Sequence, residues 1–337
     1  MKALVLDALD TGPTPREVSS VDVNANEVKV RLHAAALNRR DIWIRRGKYP
    51  GIRLPITLGS DGCGVVIEAG ASAKSWIGER VVLYPAFEWG DDERCQAPTY
   101  RILGLPDDGT FAEYISIPVG NLTKAPKHLS DQQAAALPLA GLTAWRALMT
   151  RGRLRSGERV LISGVGGGVA LMALQLAVAQ GAEVYVTSSS ADKIQRAIDL
   201  GARGGVLYTD EDWGTQLKRL VQGGVDVIID GAGGEGFGDL VQALAPGGRL
   251  VFYGGTRGKW PRILPQLLFY RQVEILASTM GSPSEFAAMV NFVTEHQITP
   301  VVDTVFELAD GAEAFDHLEA NHQFGKVVLQ ITEDPSR

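Results

Sequence analysis

The chain has 337 residues, enough for two domains, and its 45% hydrophobic and 21% charged residues are typical of a globular protein. A net charge of −6 gives no general attraction to nucleic acid, and two cysteines, Cys63 and Cys95, exclude a disulfide scaffold and an all-thiolate zinc site. No signal peptide or membrane helix is predicted, so we expect a cytoplasmic protein that binds neither nucleic acid nor membranes. Glycine is in excess, at 39 residues.

The first third of the chain is predicted to be rich in strands. Residues 27–33 alternate polar and apolar side chains, as a strand with one buried face does. Short strands are also predicted over 62–68 and 80–84, with glycine and proline turns between them. The charged segment 89–94 is predicted to be a solvated loop.

From about Gly157 the pattern changes to alternating strands and helices. Strands are predicted over 159–163, 183–187, 225–230 and 249–253. Helical patterns follow the first two strands, and each ends at a glycine. This alternation predicts a parallel, doubly wound sheet. The tail contains another helix pattern and a final strand over 326–331.

A glycine-rich segment lies between the first of these strands and its helix. It consists of Gly164, Val165, Gly166, Gly167, Gly168, Val169 and Ala170. A strict G-x-G-x-x-G pattern ends on Val169, whereas G-x-x-G-x-x-A ends on Ala170, a small residue that permits close packing of helix on strand. Glycines let backbone N–H groups approach a pyrophosphate, and the helix N-terminus attracts the anion. We therefore predict that the four glycines and Val169 bind a dinucleotide; the alternative is a turn without a ligand.

The end of the second strand distinguishes NAD from NADP. An NAD site usually has Asp or Glu there, about 20 residues after the first glycine, to bind the ribose 2′-hydroxyl. This chain has Ser188, Ser189 and Ser190, with Lys193 beyond them. Hydroxyls and an ammonium can bind a 2′-phosphate, which a carboxylate would repel. We predict NADPH rather than NADH, bound by Ser188, Ser189 and Lys193, and one serine is also expected to cap the next helix.

Several short motifs along the chain carry a family resemblance. They are 36–41 (ALNRRD), 46–50 (RGKYP), 59–66 (GSDGCGVV), 109–114 (GTFAEY), 140–145 (AGLTAW) and 324–328 (FGKVV). In this order and spacing the chain resembles the medium-chain dehydrogenase/reductase superfamily, in its zinc-independent quinone oxidoreductase-like branch. The resemblance implies an α/β fold: a Rossmann doubly wound parallel sheet over 127–282, and a GroES-like β-rich catalytic domain formed by 1–126 and 283–337.

The resemblance also implies roles for single residues. Lys193 and Tyr208 match residues that hold the adenosine 2′-phosphate in NADPH-using relatives. Thr143 would contact the cofactor near its nicotinamide end. We also place Gly255 and Lys326 in the predicted cofactor site.

The chain departs from the zinc-dependent branch at the metal positions. Zinc alcohol dehydrogenases carry a cysteine at the position of Asn38, a histidine–glutamate pair at Ser60–Asp61 and their third ligand at Leu139. A catalytic zinc needs about three ligands from Cys, His or carboxylate, and only Asp61 qualifies. The segment that matches the four-cysteine structural zinc lobe retains only Cys95. We therefore predict that the chain binds no zinc.

Without zinc, little polarises a simple ketone, so simple alcohol dehydrogenation is disfavoured. Quinones and α,β-unsaturated carbonyls need less activation, because their conjugated systems accept hydride. We predict an NADPH-dependent reductase of such substrates, in which Asn38 or Tyr49 donates a hydrogen bond to the carbonyl and Tyr49 or water supplies the proton. Alternatively, Asn38 orients the nicotinamide ribose and Tyr49 only packs. Asp41 is expected to fix its loop by hydrogen bonding.

Two other functions stay open at this point. One is a zinc-dependent alcohol dehydrogenase of the same superfamily, which metal analysis would reveal, and the other is a non-catalytic NADPH-binding protein. Residues 271–278 are predicted to form an edge strand of the Rossmann sheet. The resemblance suggests that such edges pair in a homodimer; the alternative is the terminal strand of a monomer. The predicted partners are thus a small quinone or enone substrate and a second copy of the chain.

Overall fold

A computed structural model describes residues 1–332. They divide into two compact units: Met1–Ala140 together with the chain from Ser282 onward, and Gly141–Gly281. We predicted the first boundary after residue 126, but the residues up to Ala140 belong to the first unit, and polar contacts join this segment to two strands of that unit. Asp131 accepts a hydrogen bond from His33 Nδ1 at 3.1 Å, and the Leu129 carbonyl accepts one from Arg80 at 3.0 Å.

The strands are numbered in chain order. They are β1 (Lys2–Leu6), β2 (Thr14–Glu17), β3 (Glu27–Ala36), β4 (Ile56–Thr57), β5 (Asp61–Ala69), β6 (Arg80–Leu83), β7 (Ala86–Phe87), β8 (Arg101–Ile102), β9 (Tyr114–Pro118), β10 (Leu122–Lys124), β11 (Arg159–Ile162), β12 (Glu183–Ser188), β13 (Gly204–Leu207), β14 (Val225–Asp230), β15 (Leu244–Phe252), β16 (Glu274–Ala277), β17 (Val302–Glu307) and β18 (Lys326–Gln330).

The helices are numbered in the same way. They are α1 (Arg39–Arg45), α2 (Asp131–Ala135), α3 (Pro138–Trp145), α4 (Gly168–Ala179), α5 (Ala191–Asp199), α6 (Trp213–Leu220), α7 (Phe237–Ala243), α8 (Pro265–Phe269), α9 (Pro283–Glu295) and α10 (Gly311–Ala320). A stretch of π-helix, Arg146–Arg151, continues α3. No helix within residues 1–332 combines the length and the hydropathy that crossing a bilayer requires.

The first unit is built on a seven-stranded sheet in the order β10-β6-β5-β3-β18-β17, with β9 also paired to β3. Its strand pairs are antiparallel except for β17 with β18, which run parallel. We predicted β3 over 27–33, but the strand continues to Ala36, because the three alanines at its end are buried and pair with β5 and β18. This extension brings the chain directly to Asn38.

The second unit contains a six-stranded sheet in the order β13-β12-β11-β14-β15-β16, and all of its strand pairs are parallel. This confirms the predicted doubly wound sheet. The strand order reverses between β11 and β14, and ligands of such sheets bind outside the carboxyl ends of the strands near that reversal. β16 lies at the edge of the sheet, as predicted for 271–278.

Candidate active site

The predicted glycine turn lies at the carboxyl end of β11. Gly164 has φ +64, a conformation that a residue with a Cβ adopts only with strain. Its N–H donates to Thr187 Oγ1 at 3.0 Å, which ties the turn to β12. Gly167 precedes α4, whose first N–H groups have no side-chain cap. A Cβ added at Gly164 or Gly167 would meet no atom within 4 Å, so the turn faces open space beside uncapped donors.

The three serines at the end of β12, Ser188 to Ser190, have different environments. Ser188 is buried; its hydroxyl donates to the Val165 carbonyl at 3.3 Å and accepts from the Ser190 N–H at 3.3 Å. Ser190 is the serine that caps α5, because its hydroxyl accepts the Lys193 N–H at 3.4 Å. Ser189 is exposed. The Ser188 hydroxyl therefore fixes the turn, and Ser189 presents its side chain to solvent.

Tyr208 lies directly beside this strand end. It follows β13, and its N–H donates to the Ser188 carbonyl at 3.0 Å. Lys193 is on the first turn of α5. The structure thus brings the glycine turn, the serines, Lys193 and Tyr208 to one carboxyl edge of the six-stranded sheet.

Three further predicted cofactor residues also belong to the second unit. Val169 is in the first turn of α4. Gly255 follows β15, and a Cβ there would meet nothing within 4 Å. Thr143 is buried in α3, where its Oγ1 contacts Met280 Sδ at 3.8 Å. Their contacts with a cofactor stay predictions.

Sequence reasoning did not identify Asp230, which ends β14. Its carboxylate is completely buried and accepts hydrogen bonds from the Ser163 hydroxyl and from the backbone N–H groups of Ala232, at 3.2 Å, and Gly233, at 2.9 Å. Asp230 therefore ties the end of β11 to the turn after β14. A lone acid in a strand carries no local signal for this role.

Lys326, predicted as a cofactor residue, lies in a buried polar cluster of the first unit. Its ammonium donates to Asn38 Oδ1 at 2.6 Å and to Asp61 Oδ2 at 2.9 Å. Strand register explains the meeting: Ala36 of β3 pairs with Val328 of β18 on one side and with Asp61 of β5 on the other. Only 5% of the Lys326 side chain and none of the Asp61 side chain is exposed, so this is a buried ion pair.

The amide of Asn38 is also engaged. Its Nδ2 donates to Asp61 Oδ2 at 2.9 Å and lies 3.5 Å from the Ala36 carbonyl. The Asn38 backbone N–H donates to Asp41 Oδ2 at 2.7 Å, which closes a capping box at the start of α1. Asp41 thus holds this loop by hydrogen bonding, as expected. Burial raises the pKa of Asp41 to about 6, although the nearby Arg40 guanidinium opposes the shift.

Tyr49 is half-buried and packs against the apolar cluster around β1 and α10. The guanidinium of Arg40 lies 5.1 Å from its ring centroid, and Arg40 is fixed by bonds of 2.9 Å to Ser60 Oγ and to the Leu103 carbonyl. Among residues 1–332 the Tyr49 hydroxyl has no hydrogen-bond partner. Its ring is held in place while its hydroxyl stays available.

The side chains at the three metal positions do not fit a catalytic zinc. Both Asp61 oxygens are bound, Oδ1 by the Leu139 N–H at 2.8 Å and Oδ2 by Asn38 and Lys326. Leu139 has no donor atom in its side chain, and the Lys326 ammonium already occupies the carboxylate that a zinc ion would need. No group of three or more His, Cys, Asp or Glu residues within 1–332 is arranged to hold a metal, and Cys95 is an exposed thiol.

Comparisons with known proteins agree with both units. Residues 24–127 match the family model described as alcohol dehydrogenase GroES-like domain, and residues 168–295 match the model described as zinc-binding dehydrogenase. The zinc-type alcohol dehydrogenase-like protein YogA of Leptosphaeria maculans is 36% identical over an alignment of 337 positions. The alignment covers 93% of this chain and 93% of that protein.

Two other similarities span nearly the whole chain. The acryloyl-coenzyme A reductase of Metallosphaera sedula is 29% identical, covering 98% of this chain and 99% of that protein. A solved structure of an NAD-dependent alcohol dehydrogenase has a TM-score of 0.93 and 39% identity, covering 98% of this chain and 100% of that chain. The chain therefore belongs to the medium-chain dehydrogenase/reductase superfamily of oxidoreductases.

Proposed function

We propose that this protein is an NADPH-dependent oxidoreductase that transfers hydride to a quinone or an α,β-unsaturated carbonyl without zinc. The observation that carries the proposal is the buried cluster of Asn38, Asp61 and Lys326. In it, an ammonium and hydrogen bonds saturate the one carboxylate among the metal positions. Conjugated acceptors suit such a site, because they take up hydride with less polarisation of the carbonyl than a simple ketone needs.

NADPH is supported by the carboxyl edge of the six-stranded sheet. β12 ends in Ser188 with no carboxylate for a ribose 2′-hydroxyl, and Ser189, Lys193 and Tyr208 lie around that end. When bound, the cofactor supplies the hydride. The residues of this chain would orient the dinucleotide, with the uncapped N-terminus of α4 beside the pyrophosphate.

Tyr49 is the residue that we assign to the substrate carbonyl. The Asn38 amide is already bonded through both of its polar atoms, whereas the Tyr49 hydroxyl has no partner among residues 1–332 and its ring is fixed by Arg40. Tyr49 would donate a hydrogen bond to the carbonyl oxygen and pass on its proton as negative charge develops there. Asn38 would act as a positioning residue that links Lys326 to α1.

The names of the relatives point to two classes of substrate, a conjugated thioester and an alcohol. The acryloyl-coenzyme A reductase is named for a conjugated thioester, which supports reduction of an activated double bond. Two other similar proteins are named as a zinc-type alcohol dehydrogenase-like protein and an NAD-dependent alcohol dehydrogenase. Zinc analysis and assays with NADH and an alcohol are therefore the controls for the proposal.

We also propose a homodimer. Its support is the unpaired outer edge of β16 within the described sheet, near the exposed Phe269 and Tyr270.

The proposal is tested by measuring oxidation of NADPH and NADH with a quinone, an enone and an enoyl thioester, alongside oxidation of a primary alcohol and zinc analysis of the protein. We expect turnover of a conjugated acceptor with NADPH, and a loss in kcat of about 100-fold or more in Tyr49→Phe. Tyr114→Phe, on strand β9, is the matched control and should keep the activity.

Three results would contradict the proposal. Stoichiometric zinc together with alcohol oxidation would identify a zinc-dependent alcohol dehydrogenase. NADPH binding without turnover of any acceptor would identify a non-catalytic binding protein. Unchanged rates in both Tyr49→Phe and Asn38→Ala would remove these residues from the mechanism.

A further inference from the structure

The segment after β15 folds back along the carboxyl edge of the six-stranded sheet. We call this segment, residues 253–260, the strap. The Arg257 N–H donates to the Ala232 carbonyl at 2.8 Å, and the Gly234 N–H donates to the Gly258 carbonyl at 3.2 Å. The strap is thereby bonded to the turn that follows β14.

Two packing contacts fix the strap more closely. The Trp260 ring stacks on Phe237 with centroids 3.9 Å apart and planes within 7°, and its edge meets Phe252 at 4.8 Å. Gly234 has φ +72, and a Cβ there would lie 2.8 Å from Arg257 Cβ. A glycine at this position therefore lets the strap approach the turn closely enough to set the direction of Arg257.

Arg257 reaches the opposite side of the glycine turn. Its guanidinium carbon lies 5.0 Å from the centroid of the Tyr208 ring, although β11 and β12 separate β14 from β13 in the sheet. The two side chains consequently meet across the carboxyl ends of the strands that carry the glycine turn and Ser188. Tyr208 is itself bonded to Ser188 through its backbone N–H.

The guanidinium of Arg257 has no acidic partner. Within residues 1–332 it makes no hydrogen bond and no ion pair, and its side chain is exposed. A guanidinium held over an aromatic ring can keep N–H donors free, in a planar fork that matches a phosphate. The arrangement is a preoriented anion-binding group at a strand end that lacks a carboxylate.

We propose that Arg257 determines the selectivity for NADPH by binding the 2′-phosphate of its adenosine, with Tyr208 as the platform that orients the guanidinium. This inference rests on the proposed NADPH dependence and adds a residue from a distant part of the chain. It explains why the strap is anchored so firmly: the phosphate-binding group must cross two strand ends to reach Tyr208.

The test uses fragments of the cofactor and the full chain. Calorimetric titration measures the affinities for 2′,5′-ADP, which carries the 2′-phosphate, and for 5′-AMP, which does not. We expect the native protein to bind 2′,5′-ADP more tightly. In Arg257→Gln the affinity for 2′,5′-ADP should fall by about 10-fold to 100-fold, with the affinity for 5′-AMP unchanged. Arg257→Lys keeps the charge but loses the planar fork, and should lie between the two.

Arg262→Gln is the matched control, because it removes the same charge from an exposed position between β15 and α8, outside the strap. It should leave both affinities unchanged. If the native protein binds 2′,5′-ADP no better than 5′-AMP, the proposed NADPH dependence fails. If it does discriminate, but Arg257→Gln leaves the ratio of affinities unchanged or weakens both ligands equally, the role of Arg257 is overturned and the NADPH dependence stands. Retained 5′-AMP binding shows that the variant is folded.

Discussion

The cluster around Lys326 and the carboxyl edge of the six-stranded sheet around Gly164 differ in whether their polar groups have partners within the protein. In the cluster, Asn38, Asp61 and Lys326 are buried and satisfy one another. At the sheet edge, the N-terminus of α4 is uncapped, the glycine turn faces open space, and Arg257 has no acidic partner among residues 1–332.

This difference separates groups that hold the fold from groups that we propose to bind a ligand. A buried charge must be compensated inside the protein, because leaving it unpaired costs several kcal/mol. An exposed donor is solvated by water and can exchange that water for a phosphate at little cost. The two regions should therefore respond differently to substitution: the cluster in stability, and the sheet edge in ligand binding.

The largest effect is expected for Lys326→Met, which leaves the buried Asp61 carboxylate without its cation. Breaking such a pair by removing one partner is expected to cost about 3–5 kcal/mol, which urea unfolding of the variant would measure. Lys124→Met is the control, since its 2.8 Å ion pair with Glu79 is solvent-exposed and contributes about 0–1 kcal/mol. Adding Asp61→Asn to Lys326→Met should recover part of the loss. If Lys326→Met and Lys124→Met lose equal free energies of unfolding, the cluster is not a buried, compensated unit.

The second effect is a pH dependence that arises from Asp41. Burial raises its pKa from 3.8 to about 6 in the folded protein, so the folded state binds this proton more tightly than the unfolded state. The contribution of Asp41 to the free energy of unfolding is therefore fully present below about pH 4 and is lost as the pH rises through 6. The shift corresponds to about 3 kcal/mol at neutral pH.

Asp41→Asn tests this sign. Asparagine can still accept the Asn38 N–H bond but does not ionise, so the variant should not lose stability between pH 4 and pH 6 as the native protein does. The measurement is urea unfolding at several pH values. Parallel curves for the two proteins would contradict the assignment.

Asp131 is expected to show the opposite pH dependence. Burial would raise its pKa, but hydrogen bonds from His33 and Arg80 lower the pKa below its ordinary value. The contribution of Asp131 to the free energy of unfolding is therefore lost as the pH falls.

The smallest effect on stability is expected at the sheet edge, for Gly164→Ala. No atom lies within 4 Å of the added methyl group, so only the left-handed backbone conformation is penalised, by about 1–2 kcal/mol. The methyl group should also weaken NADPH binding, because it enters the space proposed for the pyrophosphate. Gly120→Ala is equally open without a positive φ, and should change stability by less than about 0.5 kcal/mol. Unfolding midpoints and NADPH titrations distinguish the two variants, and unchanged NADPH affinity in Gly164→Ala would argue against a phosphate at this turn.

Much of the fold could be predicted because its signals are local. The alternation over 27–33 and the apolar runs at 159–163 and 225–230 identified β3, β11 and β14, since side-chain periodicity depends only on neighbouring residues. The glycine turn was predicted for the same reason: a positive φ at Gly164 is a requirement of one residue. The extension of β3 through three alanines was missed, because its signal is burial against β5 and β18.

What the sequence by itself determined is the order of the elements, the parallel sheet, the glycine turn and the serines without an acid after β12. The tertiary structure decided which side chains meet. Lys326 and Asp61 are far apart in the chain and are joined by the register of three strands, and Arg257 meets Tyr208 because backbone bonds hold the strap on the turn after β14. A single charged residue carries no pattern that names its partner, so its role, whether closed within the fold or open to a ligand, depends on how distant strands pair.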